Sequence, residues 1–302
     1  MRYMADFKKS DFLGDKKIHV RKTPLLRDGT LLHCHPHQQI SICVKGRGVY
    51  TVGKNQYHIR EGDVILIYRL ESHKCLPDGN LGGTFLMIEL SEDFIVPRGG
   101  DTFQYGYLQP FRYDPDKVDK KISYDTPVAA EIRGLAEKLK ALYDGQPLGY
   151  EHEMDASVKL IMSKLRSYFL RKYPAGFLSR HSNSIAINQA VAHINSHFLE
   201  NLKTEDIARL AHLSPSRFRQ IFKETMHISV KSYIVRLRIS EVQRLLSATD
   251  MIIEDVAATC NFSNMSHFYR IFEQFVHMTP SEYRKASRQF LREDTGSLFH
   301  NS

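Results

Sequence analysis

The sequence predicts an α+β protein whose strands come first and whose helices come last, and three observations carry that prediction. Residues 31 to about 95 contain QISICVKGRGVYTVGKNQYHIREGDVILIYRL, short runs rich in Val, Ile and Tyr cut by glycine-containing turns at KGRG, GKN and REGD. That spacing belongs to an antiparallel all-β unit. From Pro127 onward apolar residues recur every three or four positions, the period of helices. Within the helical part, SRFRQIFKETMHISVKSYI (Ser216 to Ile234) returns fifty residues later as SHFYRIFEQFVHMTPSEYR, with Ser, Phe, Ile-Phe, His and Tyr at the same offsets.

A chain of 302 residues accommodates two domains, and a composition 42% hydrophobic and 25% charged excludes global disorder. No uncharged apolar run reaches the roughly 18 residues a membrane span needs, and MRYMADFKKSDF lacks the apolar centre of a signal peptide. A cytoplasmic protein without membrane contact is expected. The four cysteines, Cys34, Cys43, Cys75 and Cys260, form no paired framework, in keeping with reduced thiols. The net charge of +8 suits a polyanion partner, although most of the excess lies before residue 183 rather than in the repeat.

In chain order, residues 1–120 are expected to form the β domain, with an irregular stretch rich in Pro, Gly and Tyr over 96–120. Residues 121–174 form a helical connection. Its first helix runs through Val128, Ile132, Leu135, Leu139 and Leu142 to a stop at Asp144-Gly145; its second runs through Met154, Val158, Ile161, Leu165 and Phe169. YPAGFLSRHSNS supplies a linker over 175–184, residues 185–290 carry the repeat, and 291–302 are a tail.

The first repeat unit starts at Thr204-Glu205-Asp206, expected as a cap followed by acids that suit a helix N-terminus. Ser214 caps the second helix, with Pro215 at its first position. Phe218, Ile221, Phe222 and Thr225 share one face of it, and Ser216, Arg219, Gln220 and Lys223 the other. In the second unit Ile252, Val256 and Ala257 carry the first helix and Phe268, Ile271, Phe272 and Phe275 the second, leaving Met265, Ser266, Tyr269 and Arg270 outward. Two helix pairs in one register suggest two similar readers, spaced for successive major grooves of DNA.

IEDVAATCNFSNMSHFYRIFEQFVHMTPSEYR resembles the C-terminal signature of AraC/XylS-type transcription regulators over residues 185–288. The resemblance implies sequence-specific binding to double-stranded DNA, with base reading by Ser216, Arg219 and Gln220 and by Met265, Ser266 and Arg270, and phosphate contact by Arg217 and Lys223. Tyr269 joins the outward set. It implies control by a small-molecule effector, more often as an activator working with RNA polymerase than as a repressor, and a homodimer in which the second helix of 121–174 pairs with its copy. The family's turn glycines are replaced by Asn261, His227 and His277, which are expected to take the positive φ a glycine would.

In LHCHPHQQI, His33, His35 and His37 alternate as on one face of a strand, Gln39 continues that face, and His73 follows forty residues after His33. Together with the Gly62-Asp63 turn these residues resemble a cupin barrel. Two readings stand. In one, His33, His35, Gln39 and His73 contact the effector directly, with no resident cofactor. In the other they hold a divalent transition metal, and the protein is a cupin metalloenzyme such as a dioxygenase with an accessory helical domain. The resemblance to effector-controlled regulators favours the first, and no enzyme activity is expected.

Overall fold

The computed structural model describes residues 17–25, 29–78, 82–96, 102–174 and 184–297. Among the described residues eight strands form two sheets: β1 (Ile18–Leu25), β2 (Gln38–Lys45), β3 (Arg47–Val52), β4 (Asn55–Arg60), β5 (Val64–Ile67), β6 (His73–Pro77), β7 (Gly83–Leu90) and β8 (Lys121–Ile122). The five-stranded sheet has the order β1-β7-β2-β5-β8 and the three-stranded sheet β4-β3-β6, with every pairing antiparallel. β1 lies upstream of the predicted strands. Its IHVRKTPL is too polar to announce a strand alone, and pairing along the whole of apolar β7, from Ile18↔Leu90 to Leu25↔Gly83, is what holds it.

The alternation of β2 sorts the domain into two cores. Ile40 and Ile42 join Val64, Leu66, Leu86 and Ile88 on the face that meets helices. Cys43 joins Ile65, Ile67, Phe85, Tyr50 and Cys75 between the two sheets, inside a cupin-like barrel. Two short helices, α1 (Glu92–Ile95) and α2 (Thr102–Tyr105), and a 3-10 turn over Gly106–Phe111 occupy part of the stretch predicted as irregular.

The predicted long pair is α3 (Pro127–Gly145) and α4 (Tyr150–Lys172). Thr126 caps α3 with Pro127 in its first turn, and Gln146 ends it at φ +44°. The apolar stripes of both helices enter the barrel's own helix-side core: Val128, Ile132 and Leu139 from one, Val158, Ile161, Leu165 and Phe169 from the other. The apolar stripes are thus used within the chain, and Ala156 and Leu160 remain on the exposed face of α4, the helix that the family resemblance assigned to pairing with a second copy.

Among the described residues seven helices follow: α5 (Ser184–His197), α6 (Thr204–Leu210), α7 (Pro215–Met226), α8 (Val230–Ala248), α9 (Ile253–Thr259), α10 (Met265–Val276) and α11 (Pro280–Ser297). The linker expected over 175–184 lies outside the described residues except for Ser184, and α11 runs on past residue 290 into the stretch expected as a tail. Ser214 accepts from the Arg217 amide as α7 begins, and Asn264 does the same for His267 on α10. Two expected positions shift. Lys203, not Thr204, is the N-cap of α6, without a side-chain bond. Ile252 is the N-cap of α9 and is 58% exposed, because a cap residue precedes the buried face that Val256 and Ala257 supply. His227, Asn261 and His277 take φ of +60°, +58° and +58°, as expected of residues at glycine positions.

α8 belongs to both units. Val230, Tyr233, Ile234 and Leu237 of its first half complete the core of α5, α6 and α7. Ile239, Val242, Leu245 and Leu246 of its second half complete the core of α9, α10 and α11.

Among the described residues the barrel docks on this helical half at several points, including His227 at the end of α7, whose Nε2 lies 3.0 Å from the Arg112 carbonyl. Ser240 of α8 donates to the Cys34 carbonyl at 3.0 Å, and the Gln243 amide donates to the Leu32 carbonyl at 3.0 Å. Leu70, held at φ +58°, is buried in the core of the first unit, and its carbonyl accepts from Arg236 at 3.1 Å. Glu92 pairs with Arg69 at 2.8 Å and with Arg112 at 2.9 Å, and these arginines reach Asn195 and Asn188 of α5 at 3.0 and 2.9 Å. Burial opposes ionisation of Glu92, but Arg112 and Arg69 outweigh it and hold the carboxyl below its ordinary range.

Glu92→Ala leaves two largely buried guanidinium groups without their carboxylate. Urea unfolding should show a loss of about 3–5 kcal/mol. An unchanged midpoint and slope would remove the triad from the list of docking contacts.

Candidate functional site

Two sets of side chains carry chemistry, one on the helical half and one in the barrel. On α7, Ser216, Arg219, Gln220 and Lys223 are exposed and Arg217 is half-buried, while Phe218, Ile221 and Phe222 are buried beneath them. The outward residues already bond one another: Arg217 donates to the Gln220 amide oxygen at 2.9 Å, and Gln220 donates to Glu224 at 2.8 Å. Arg219 lies 3.8 Å from Glu205. Such exposed contacts are weak and are readily exchanged for bases or phosphates.

On α10, Ser266 and Arg270 are exposed, whereas Met265 and Tyr269 are half-buried and pack against the core of the second unit. Residue 267 was missed in the sequence. His267 is exposed and its Nδ1 accepts from Arg270 at 2.9 Å, placing it within the outward face. The fifty-residue offset, which maps Arg217 onto His267, is the signal that would have found it. A helix face with guanidinium, amide and hydroxyl groups has the donors and acceptors that base edges and phosphates need.

In the barrel, residues 31–37 are not the regular strand expected from alternation; His33 and His73 form an isolated bridge, and β2 starts only at Gln38. The histidines converge nonetheless. Ring centroids of His33 and His73 are 4.2 Å apart and those of His35 and His73 4.9 Å. One ring nitrogen of each of His33, His35 and His73 lies within 4.8 Å of those of the other two, so these three are the residues placed to hold a metal ion. His37 stands beside them, its ring stacked 5.9 Å from that of His35.

The backbone fixes the rings. His33 Nδ1–H donates to the Leu31 carbonyl at 2.9 Å, and His73 Nδ1–H to the Glu71 carbonyl at 2.9 Å. Nδ1 of His35 lies 3.2 Å from the His37 carbonyl, and its Nε2 lies 2.8 Å from Gln39 Oε1. His73 Nε2 is buried and finds no hydrogen-bond partner among the described residues. Burial keeps all three rings neutral: it lowers His33 to about 4, with His35 adding to the effect, and lowers His35 and His73 from their ordinary value.

Other groups share this end of the barrel. Ser41 Oγ and Tyr50 Oη are 3.0 Å apart, and Gln39 pairs across the strands with Glu89. Glu89 binds Arg21 at 2.7 Å; burial resists its charge, but Arg21 and a bond from His19 hold its carboxyl well below the usual range. The sequence signal for Glu89 is a lone acid within the apolar strand GTFLMIEL. The polar lining can take hydroxyl, carboxylate or cationic ligands.

A helix-turn-helix domain family model matches residues 207–286, and an AraC-like ligand binding domain model matches residues 27–161. The melibiose operon regulatory protein of Escherichia coli (strain K12) is 35% identical over 272 residues, which cover 85% of this chain and 84% of that protein. The HTH-type transcriptional activator RhaS of Escherichia fergusonii is 23% identical over 278 residues, covering 91% and 95%. Among solved structures, ToxT from Vibrio cholerae superposes with a TM-score of 0.57 at 15% identity, covering 89% of this chain and 98% of that chain, a likeness of fold. Among the described residues no helix is long and apolar enough to cross a membrane.

The buried rings set a pH dependence. An unfolded histidine takes up its proton near pH 6.5, while folded His33 stays neutral to about pH 4, so the unfolded chain binds more protons between these values. Stability of chelator-treated protein is therefore complete above about pH 6.5 and falls as the pH drops toward 4. Each unit of lowering is worth about 1.4 kcal/mol. His33→Asn should flatten the slope of unfolding free energy across that window; an equal slope would place the titration elsewhere.

Proposed function

The chain belongs to the AraC/XylS family of transcription regulators, DNA-binding proteins with an N-terminal ligand-binding domain, and from that premise we propose which residues do the work. Ser216, Arg217, Arg219, Gln220 and Lys223 on α7, and Ser266, His267 and Arg270 on α10, contact the operator. Arg219 and Arg270 suit guanine O6/N7, Gln220 suits adenine N6/N7, and Lys223 and Arg217 suit phosphate. Half-buried Met265 and Tyr269 take lesser parts, Met265 against a thymine methyl. The observation that supports this most is that the outward faces of both helices remain uncovered while the barrel is docked.

His33, His35, Gln39 and His73 contact the effector, with Ser41, Tyr50 and Glu89 as further partners. A hydroxyl-rich molecule such as a sugar fits this lining, the class named in the melibiose operon regulatory protein. Binding moves the histidine-bearing segments, and those segments bond α8. For the effector to shift the protein between two arrangements it must bind them unequally.

The protein acts as an activator in the cytoplasm, where its four buried cysteines stay reduced, and contacts RNA polymerase while bound to adjacent sites as a homodimer. The exposed face of α4, with Ala156 and Leu160, is where a second copy would sit. The metalloenzyme reading uses the same histidines, but family membership carries the regulator.

Arg270→Ala tests the reading face. Against DNA selected by the wild-type chain, the variant should bind about 1–3 kcal/mol more weakly and lose discrimination at one base pair. A repeat selection with unchanged sequence preference would take Arg270 off the reading face.

A further inference from the structure

Beyond the small-molecule reading of the pocket, on which it rests only for what an ion would do there, one more assignment follows from the lone pairs. We propose that His33, His35 and His73, with the side-chain oxygen of Gln39, bind a divalent first-row transition-metal ion.

The first ground is the common orientation of the rings. His33 and His73 each commit Nδ1–H to a backbone carbonyl two residues back, at 2.9 Å in both cases, and Nδ1 of His35 lies 3.2 Å from the carbonyl two residues on. With every proton on Nδ1, each ring has Nε2 to offer as a ligand. A hydrogen bond from the far ring nitrogen to a carbonyl is the outer contact that orients a metal-bound imidazole.

A second ground is what faces those nitrogens. His73 Nε2 is buried and has no hydrogen-bond partner among the described residues. At the neighbouring ring, His35 Nε2 and Gln39 Oε1 lie 2.8 Å apart. With the proton of neutral His35 on Nδ1, that contact joins two lone pairs, which repel unless a cation lies between them. The alternative is an amide turned end for end, so that its NH2 donates to His35 and its oxygen accepts from Ser41.

Spacing is compatible with closure on an ion. Nitrogens each about 2.1 Å from one tetrahedral zinc ion lie about 3.4 Å apart. One ring nitrogen of each histidine lies within 4.8 Å of those of the other two, so binding closes any pair by at most about 1.4 Å, through side-chain rotation of the three rings. Three neutral imidazoles and an amide oxygen select zinc, cobalt, nickel, iron or copper over magnesium or calcium, which require oxygen ligands. Burial favours the neutral, ligating form of each ring. Glu89, the cross-strand partner of Gln39, adds a nearby negative charge, partly offset by Arg21.

The ion alone is the probe. Full-length protein stripped with a chelator is dialysed against Co(II) or Zn(II) and measured by elemental analysis and by cobalt visible absorption. The wild type should retain a single ion per chain with the spectrum of a nitrogen-rich site, and its melting temperature should rise with ion concentration. His73→Asn should lose the ion and the thermal shift, whereas His37→Asn should keep both. Should His73→Asn fail to fold, His33→Asn, at the less buried edge of the cluster, carries the same test. Wild-type protein holding no more ion than buffer, or a folded His73→Asn or His33→Asn chain holding as much as wild type, overturns the proposal in favour of the turned amide. Because this titration reads no DNA, its failure leaves the reading faces of α7 and α10 intact. Failure of Arg270→Ala to alter sequence preference likewise leaves the ion site intact.

Discussion

One helix constrains the molecule: α8 gives its first half to the core of one helix-turn-helix unit and its second half to the core of the other. A rigid rod shared in this way fixes the angle and separation of α7 and α10, and two recognition helices can serve one face of DNA only if that relation is fixed. The barrel grips this rod along its length, through Leu70 and Arg236, through Ser240, and through Gln243. Anything that alters the grip acts on both reading helices at once.

The grip is made by the segments that carry the histidines. In the run His33-Cys34-His35 the two rings turn toward His73, while the backbone of the cysteine between them bonds α8. On the opposite segment Leu70 inserts into the helical core and His73, three residues on, enters the barrel. Pocket and docking surface are thus two faces of the same short segments. The Ser240 and Gln243 bonds are of the neutral kind worth about 1 kcal/mol net each, and Arg236 adds a charged donor. A few of them suit a change of arrangement by a small ligand, while buried Leu70 and the Glu92 triad supply the larger contribution that keeps the halves together.

Much of this was legible in the sequence because it rests on local chemistry. The helix periods, the Ser214 cap, the Pro215 start and the positive φ of His227, Asn261 and His277 all depend on neighbours within a few residues. The convergence of His33, His35 and His73 also followed, although alternation on a strand was the wrong reason, since a bridge and irregular backbone bring them together. What was not legible depends on distant pairing. β1 is a strand because β7 lies beside it, and Glu89 lines the barrel because register sets its face. The packing of the α3 and α4 stripes against the barrel was not legible either, because nothing local tells a helix which apolar surface it will cover. Docking of the barrel on α8, which joins residues more than 200 positions apart, leaves no trace in composition or period.

The most direct test of this account is the operator affinity of the Ser240→Ala/Gln243→Ala double variant, measured on the full chain at fixed salt with DNA selected by the wild type. Both side chains are remote from the reading faces and bond only to the histidine-bearing segment among the contacts that cross from α8 to the barrel. If docking and DNA binding share one equilibrium, affinity shifts by about fivefold or more, the lower end of ordinary coupling between sites. An affinity equal to that of the wild type, with the helical half still folded, would mean that the barrel rests on α8 without influencing what the two units read.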